Sequence, residues 1–105
     1  MKADDILDRA SAKQYASWFR ALADPTRIQI LALLAHARRP MTVGEIVEAV
    51  PVVQSTVSHH LKILSKARFV LAEPHGASNR YRLNEAHVRH LPTAADVVMG
   101  KRIEL

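Results

Sequence analysis

Between Thr42 and Leu83 the hydrophobic pattern changes from helical to alternating, and that change constrains the fold more than any other feature. Thr42 followed three residues later by Glu45 has the form of a capping box, opening a short helix over roughly Val43 to Val50. Pro51 interrupts it. Residues 50–53 then leave room only for a tight link before a second helix, which starts near Gln54 or Ser55 and ends near Ala67. Two short helices joined this closely are the sequence form of a helix-turn-helix. After Arg68 the period changes. Phe69–Glu73 reads as a strand, Pro74-His75-Gly76-Ala77-Ser78 as a turn, and the alternating Asn79–Leu83 as the return strand. A hairpin directly after a helix-turn-helix is a wing.

The flanks are helical. Over residues 7–22, Tyr15, Trp18, Phe19 and Leu22 recur at helical spacing and share a face. Asp24-Pro25 is a helix start: Asp caps free N–H groups, and Pro is pre-set for the first helical position. The helix from Pro25 to about Ala37 carries Ile28, Ile30, Leu31, Leu33 and Leu34, apolar nearly all round, and reads as the central buried helix until Arg38-Arg39-Pro40 stops it. Near the end, Pro92 reads as the first residue of a helix running to about Met99, with Gly100 as its stop. The expected fold is mainly α with a small β-hairpin, in the order α-α-α-α-β-β-α. At 105 residues, one domain over 1–105 is the natural count.

Several functional classes are excluded early. There is no cysteine, hence no disulfide framework, thiolate zinc cage or thiol nucleophile. No apolar run approaches the ~20 residues of a membrane span, and Met1–Asp5 has no signal-peptide pattern, so the expectation is a cytoplasmic protein without a membrane partner. No Gly-rich phosphate loop, nucleophile elbow or His-Glu-x-x-His is present, and Asp4, Asp5 and Asp8 read as solvated residues of the N-terminus. An enzyme is not expected.

The charge points to a polyanion. Net charge is +5, and residues 52–82 alone carry five bases (Lys62, Lys66, Arg68, Arg80, Arg82) against one acid, Glu73. Within the second short helix, Val57, Leu61 and Leu64 share an inward stripe. Ser55, His59, Lys62 and Lys66 share the opposite one, flanked by Thr56 and Ser58. Small hydroxyl and amide side chains at a helix N-terminus let backbone approach backbone, so Gln54, Ser55, Thr56 and Ser58 suit phosphate oxygens or base edges in the major groove. Lys62 and Lys66 suit the phosphate backbone, and His59 adds a base or phosphate hydrogen bond. His60 points to the apolar side and reads as a structural, hydrogen-bonded histidine. In the hairpin Arg80, near the tip, is the better nucleic-acid contact. Arg82 either shares that role or pairs with an acid, and Tyr81 packs inward.

At these residues the chain resembles the ArsR/SmtB-type winged-helix repressors. The matching stretches are Ala21–Ile28 with Ile30-Leu31, then Ser55–Leu64, then Gly76 through Arg80-Tyr81-Arg82-Leu83, in this order and spacing. The resemblance implies a homodimer built from the first and last helices, with part of the Trp18/Phe19 face in the interface. It implies one recognition helix per subunit, a pseudo-palindromic double-stranded DNA operator, and repression relieved by an effector.

The sequence departs from the family where metals are sensed. The family's Glu-Leu-Cys-Val-Cys pattern falls on Glu45, Ile46, Val47, Glu48 and Ala49, and soft metals need soft ligands. A second family site, on the last helix, is matched in its first half by Glu85 and His87. Its second half falls on Val98 and Lys101. The expectation is therefore no cofactor and no metal centre. Glu85, His87 and His90 are the residues from which a regulatory divalent-metal site would have to be assembled, with Asp96 or Glu104 as further donors. Without metal they read as solvated residues near a helix start. Two alternatives accompany the operator-binding reading: a zinc-, nickel- or cobalt-responsive repressor using those ligands, and a protein-interaction module that kept the fold without the operator.

Overall fold

The computed structural model describes residues 7–100. Asp4, Asp5, Lys101 and Glu104 lie outside them. The first helix, α1 (Arg9–Leu22), is capped by Asp8, whose carboxylate accepts from the Ser11 amide at 2.9 Å. Helix α2 (Pro25–Ala37) begins where the Asp-Pro pair placed it. Asp24 Oδ1 accepts from the amides of Thr26 (2.8 Å) and Arg27 (3.1 Å), and Arg38 ends the helix in the left-handed conformation at φ 57°. A two-residue strand, β1 (Met41–Thr42), precedes α3 (Val43–Ala49), and the turn at residues 50–53 leads into α4 (Gln54–Lys66). Strands β2 (Val70–His75) and β3 (Ser78–Leu83) form the wing, followed by a short α5 (Glu85–Val88) and α6 (His90–Val98).

Besides the short α5, which the sequence did not announce, three features differ from the sequence expectation. First, the sheet has three strands in the order β1-β3-β2, because Met41 and Thr42 pair antiparallel with Tyr81 and Arg80. Second, the strands of the hairpin run further than expected. His75 pairs with Ser78 across a two-residue turn whose first residue, Gly76, has φ 61°. A side chain is strained there, which is why glycine holds the position. Pro74 is accommodated because β2 is an edge strand. Third, the last helix starts at His90 and not at Pro92. The first-turn amides of a helix have no helical acceptor, so a proline at its third residue sacrifices no bond.

The core lies between α2, α4 and the sheet. Ile30 and Leu34 of α2, Ile46 of α3, and Val57, Leu61 and Leu64 of α4 are buried, with Met41, Phe69 and Val70 closing the sheet side. Each such side chain contributes roughly 1.5–3 kcal/mol by leaving water. Helix α2 is central, yet one of its faces stays open: Ile28 is 54% exposed and, with Leu22, Leu31, Ala32 and Leu91, lines an apolar groove.

The helix-turn-helix is fixed at its start by charge as well as by a cap. Thr42 Oγ1 accepts from the Glu45 amide at 3.2 Å, and Glu45 Oε1 accepts from the Thr42 amide at 3.0 Å, completing the expected capping box. Glu45 Oε2 also lies 2.8 Å from an Arg39 terminal nitrogen. The Arg39 guanidinium first, and the Thr42 amide second, hold the Glu45 carboxyl down at about 2, from an ordinary value of 4.5. A depressed carboxyl stabilises the fold above its unfolded pKa and ceases to as pH falls through the folded one. The urea midpoint is therefore expected to drop between about pH 4.5 and pH 2, and Glu45→Gln to flatten that part of the curve. An E45Q protein as acid-sensitive as the parent in this window would refute the assignment.

Candidate nucleic-acid interface

Helix α4 is split lengthwise by burial. Val57, Leu61 and Leu64 are fully enclosed, while Gln54, Ser55, Ser58, His59, Lys62 and Lys66 are exposed and Thr56 is half-buried. The stripe of Ser55, His59, Lys62 and Lys66 thus lies on solvent, uncovered by any described element. Among the described residues no side chain caps the first turn of α4, which leaves its amides open beside Gln54, Ser55 and Thr56, an arrangement suited to phosphate. Among the described residues, the ion pairs are Arg39–Glu45, Arg82–Glu73 and Arg89–Glu85, and neither Lys62 nor Lys66 takes part in one.

The buried side of α4 is tied to the α1–α2 corner by a polar cluster. His60 is 8% exposed. Its Nδ1 lies 3.2 Å from the Arg27 Nη1, and its Nε2 lies 3.8 Å from Asp24 Oδ1. Arginine only donates, so Nδ1 is the acceptor and the ring proton sits on Nε2, facing the carboxylate. Arg27 also donates from Nε to the Ala21 carbonyl and from Nη2 to the Arg20 carbonyl (3.2 Å). His60 is the structural histidine its position on the helix suggested. Arg27 went unnoticed in the sequence, because His60 is 33 residues away. The only local hint was a charged residue in the first turn of an otherwise apolar helix.

The two wing arginines differ in setting. Arg80 sits in the central strand between Thr42 and Glu73 and not at the turn. It is half-buried, and its Nε is enclosed with no hydrogen-bond partner among the described residues. Arg82 is exposed and its Nε donates to Glu73 Oε2 at 3.2 Å, so it pairs with an acid. Tyr81 packs against the core.

On the last helices, Glu85 and His90 are exposed, and Glu85 lies 3.9 Å from Arg89 Nη2. His87 is not a solvated residue. Its ring packs against Trp18 and Phe69, each at a centroid distance of 4.9 Å, and its Nε2 is buried without a partner. Burial first, and the neighbouring His90 second, lower its pKa and favour the neutral ring. Among the described residues no three His, Asp or Glu side chains gather as a metal-binding set.

The model of the family described as bacterial regulatory protein, arsR family, matches residues 24–71, which hold α2, the helix-turn-helix and the start of the wing. The HTH-type transcriptional regulator NmtR of Mycobacterium tuberculosis is 39% identical over 85 residues, covering 81% of this chain and 69% of that one. The chain belongs to the arsR family. A transcriptional repressor SmtB homolog of Synechocystis is 36% identical over 87 residues, covering 83% of this arsR-family chain and 64% of the relative. The chain thus spans about two thirds of the length of these relatives. Among solved structures, the homodimeric winged helix-turn-helix DNA-binding domain of a possible ArsR-family regulator from Mycobacterium bovis superposes with a TM-score of 0.69. It is 31% identical, and the match covers 99% of this chain and 94% of that one. This arsR-family protein is a winged helix-turn-helix transcriptional regulator, and its family consists of regulators and not of enzymes.

Proposed function

We propose that the protein is a homodimeric, cytoplasmic repressor, one winged-helix domain over residues 1–105, that reads a pseudo-palindromic operator with α4. The observation that carries this reading is the exposed stripe of α4, in no ion pair among the described residues, directly opposite its buried one. Gln54, Ser55, Thr56 and Ser58 approach base edges and nearby phosphates, His59 adds a hydrogen bond, Lys62 and Lys66 hold phosphates, and Arg80 supports the wing's contact. Two-fold symmetry sets half-sites about one helical turn, roughly 10 bp, apart. Dimerisation through the first and last helices is supported by what one protomer leaves in water: Ile28 is exposed on an apolar groove that Leu22 and Leu91 also line, and Val97, Val98 and Met99 are exposed at the end of α6. The relative from Mycobacterium bovis is homodimeric.

The donor chemistry argues against a metal effector. The α3 positions corresponding to the family's thiols are apolar, and His87 is turned into the core against two aromatic rings. Two or fewer ligands per site fall short of the about four that zinc takes.

The test is a mobility shift on the DNA upstream of the protein's own gene, against a scrambled duplex. Gln54→Ala with Ser55→Ala is expected to cut the preference for operator over scrambled DNA by about 30-fold or more, the worth of one good base contact in each half-site. An unchanged ratio would remove α4 from sequence reading.

A further inference from the structure

A groove of about 470 Å³ lies between the C-terminal half of α1, the start of α2 and the last turn of α4. Its floor is apolar, made by Ala21, Ile63 and Ala67. Its polar rim is Ser17 with three cations, Arg20, Arg27 and Lys66, and among the described residues no carboxylate lines it. Three of the Arg27 nitrogens are already committed, to the carbonyls of Ala21 and Arg20 and to His60. Arg20 and Lys66 are exposed, and neither takes part in an ion pair among the described residues. Apolar walls with a few convergent charges are the usual make-up of a small-molecule site, and this volume is within the usual range for one.

We propose that this groove binds an amphipathic organic anion, a carboxylate or sulfonate on an aliphatic or aromatic body, and that the occupant competes with DNA for Lys66. The apolar body lies on Ile63 and Ala67, and the anionic head pairs with Arg20 and Lys66. Lys66 belongs at once to this rim and to the outward stripe of α4, so an anion held there removes a phosphate contact in each subunit. The competition rests on the reading of α4 as the DNA-contacting helix; the binding of the anion does not.

Two measurements on the full chain separate them. Without DNA, anilinonaphthalenesulfonate fluorescence is titrated and octanoate is used to displace it, with octanol as the uncharged control. Saturable binding displaced by octanoate and not by octanol is expected, with Arg20→Glu weakening it at least tenfold and Lys13→Glu, elsewhere on α1, leaving it within twofold. Binding that is absent, equally displaced by octanol, or indifferent to R20E overturns the proposal. In the second measurement, saturating octanoate is expected to weaken operator affinity at least tenfold in the parent and not in R20E. By linkage, DNA weakens octanoate binding by the same factor. If octanoate binds as described while operator affinity is unaltered, the competition is refuted. If the parent binds no DNA in the absence of octanoate, it is the operator reading that fails, and the binding data stand apart from it.

Discussion

Replacing Arg27 with alanine is expected to lower the free energy of unfolding by about 2–4 kcal/mol, because it strands two partly buried acceptors at once. The Ala21 carbonyl loses its side-chain donor and His60 Nδ1 loses the group that fixes its tautomer, while the exposed Arg20 carbonyl keeps the Ala23 amide. Each buried group left without a partner costs about 1–3 kcal/mol, whereas the hydrogen bonds themselves contribute less. For a domain this size a loss of 1 kcal/mol shifts the melting temperature by roughly 4–8 °C, so the drop is easily seen in a thermal or urea melt. Arg27→Lys is expected to recover less than half of it. One ammonium on a flexible stem cannot serve acceptors spread around a planar fork. The same cluster seats α4 through His60, so R27A is expected also to weaken operator binding under conditions where it remains folded. An R27A protein within about 0.5 kcal/mol of the parent, the scale of an ordinary surface substitution, would show that the cluster is incidental.

What the sequence disclosed and what it concealed divide along one physical line. Features set within a few residues were readable. Asp24-Pro25 marked the start of α2, Thr42 and Glu45 marked that of α3, and the three-residue and four-residue spacing of Val57, Leu61 and Leu64 predicted which side of α4 is buried. Features that depend on distant partners were not. Strand β1 is two residues long and exists because β3, nearly forty positions later, supplies its hydrogen bonds. Neither Met41 nor Thr42 carries a periodic pattern that could announce it. Arg27 had no role assigned until the fold brought His60 to it. His87 looked like half of a metal site, and only the packing of α5 against Trp18 and Phe69 turns it inward. The candidate interface was more legible than the rest of the molecule because a face that meets DNA must remain outside the core. Its residues are specified by the helical period alone. Arg80 marks the boundary of that rule: alternation in β3 gives its side of the strand, but not that it lies half-buried in a central strand.

Removing the charge at position 62 should show the symmetry of the assembly as well as the chemistry of the helix. Lys62 is exposed midway along α4, makes no ion pair among the described residues, and can be truncated without disturbing the core. Neutralising one phosphate releases condensed counterions, and the logarithm of the binding constant falls against the logarithm of salt with a slope of about −0.9 per contact. A homodimer presents Lys62 twice, so Lys62→Ala should make the slope shallower by about 1.8, and not by 0.9. At physiological ionic strength that change corresponds to roughly a 30-fold loss of affinity, about 2 kcal/mol. The loss should be nearly the same on operator and on scrambled duplex, since phosphates carry no sequence information. It is therefore the counterpart of the Gln54 and Ser55 changes, which should spare the slope and alter the preference. Binding isotherms at four or five salt concentrations decide the matter. A slope change near 0.9 would mean that a single α4 meets the duplex. No change at all would take Lys62, and with it the outward stripe, off the DNA.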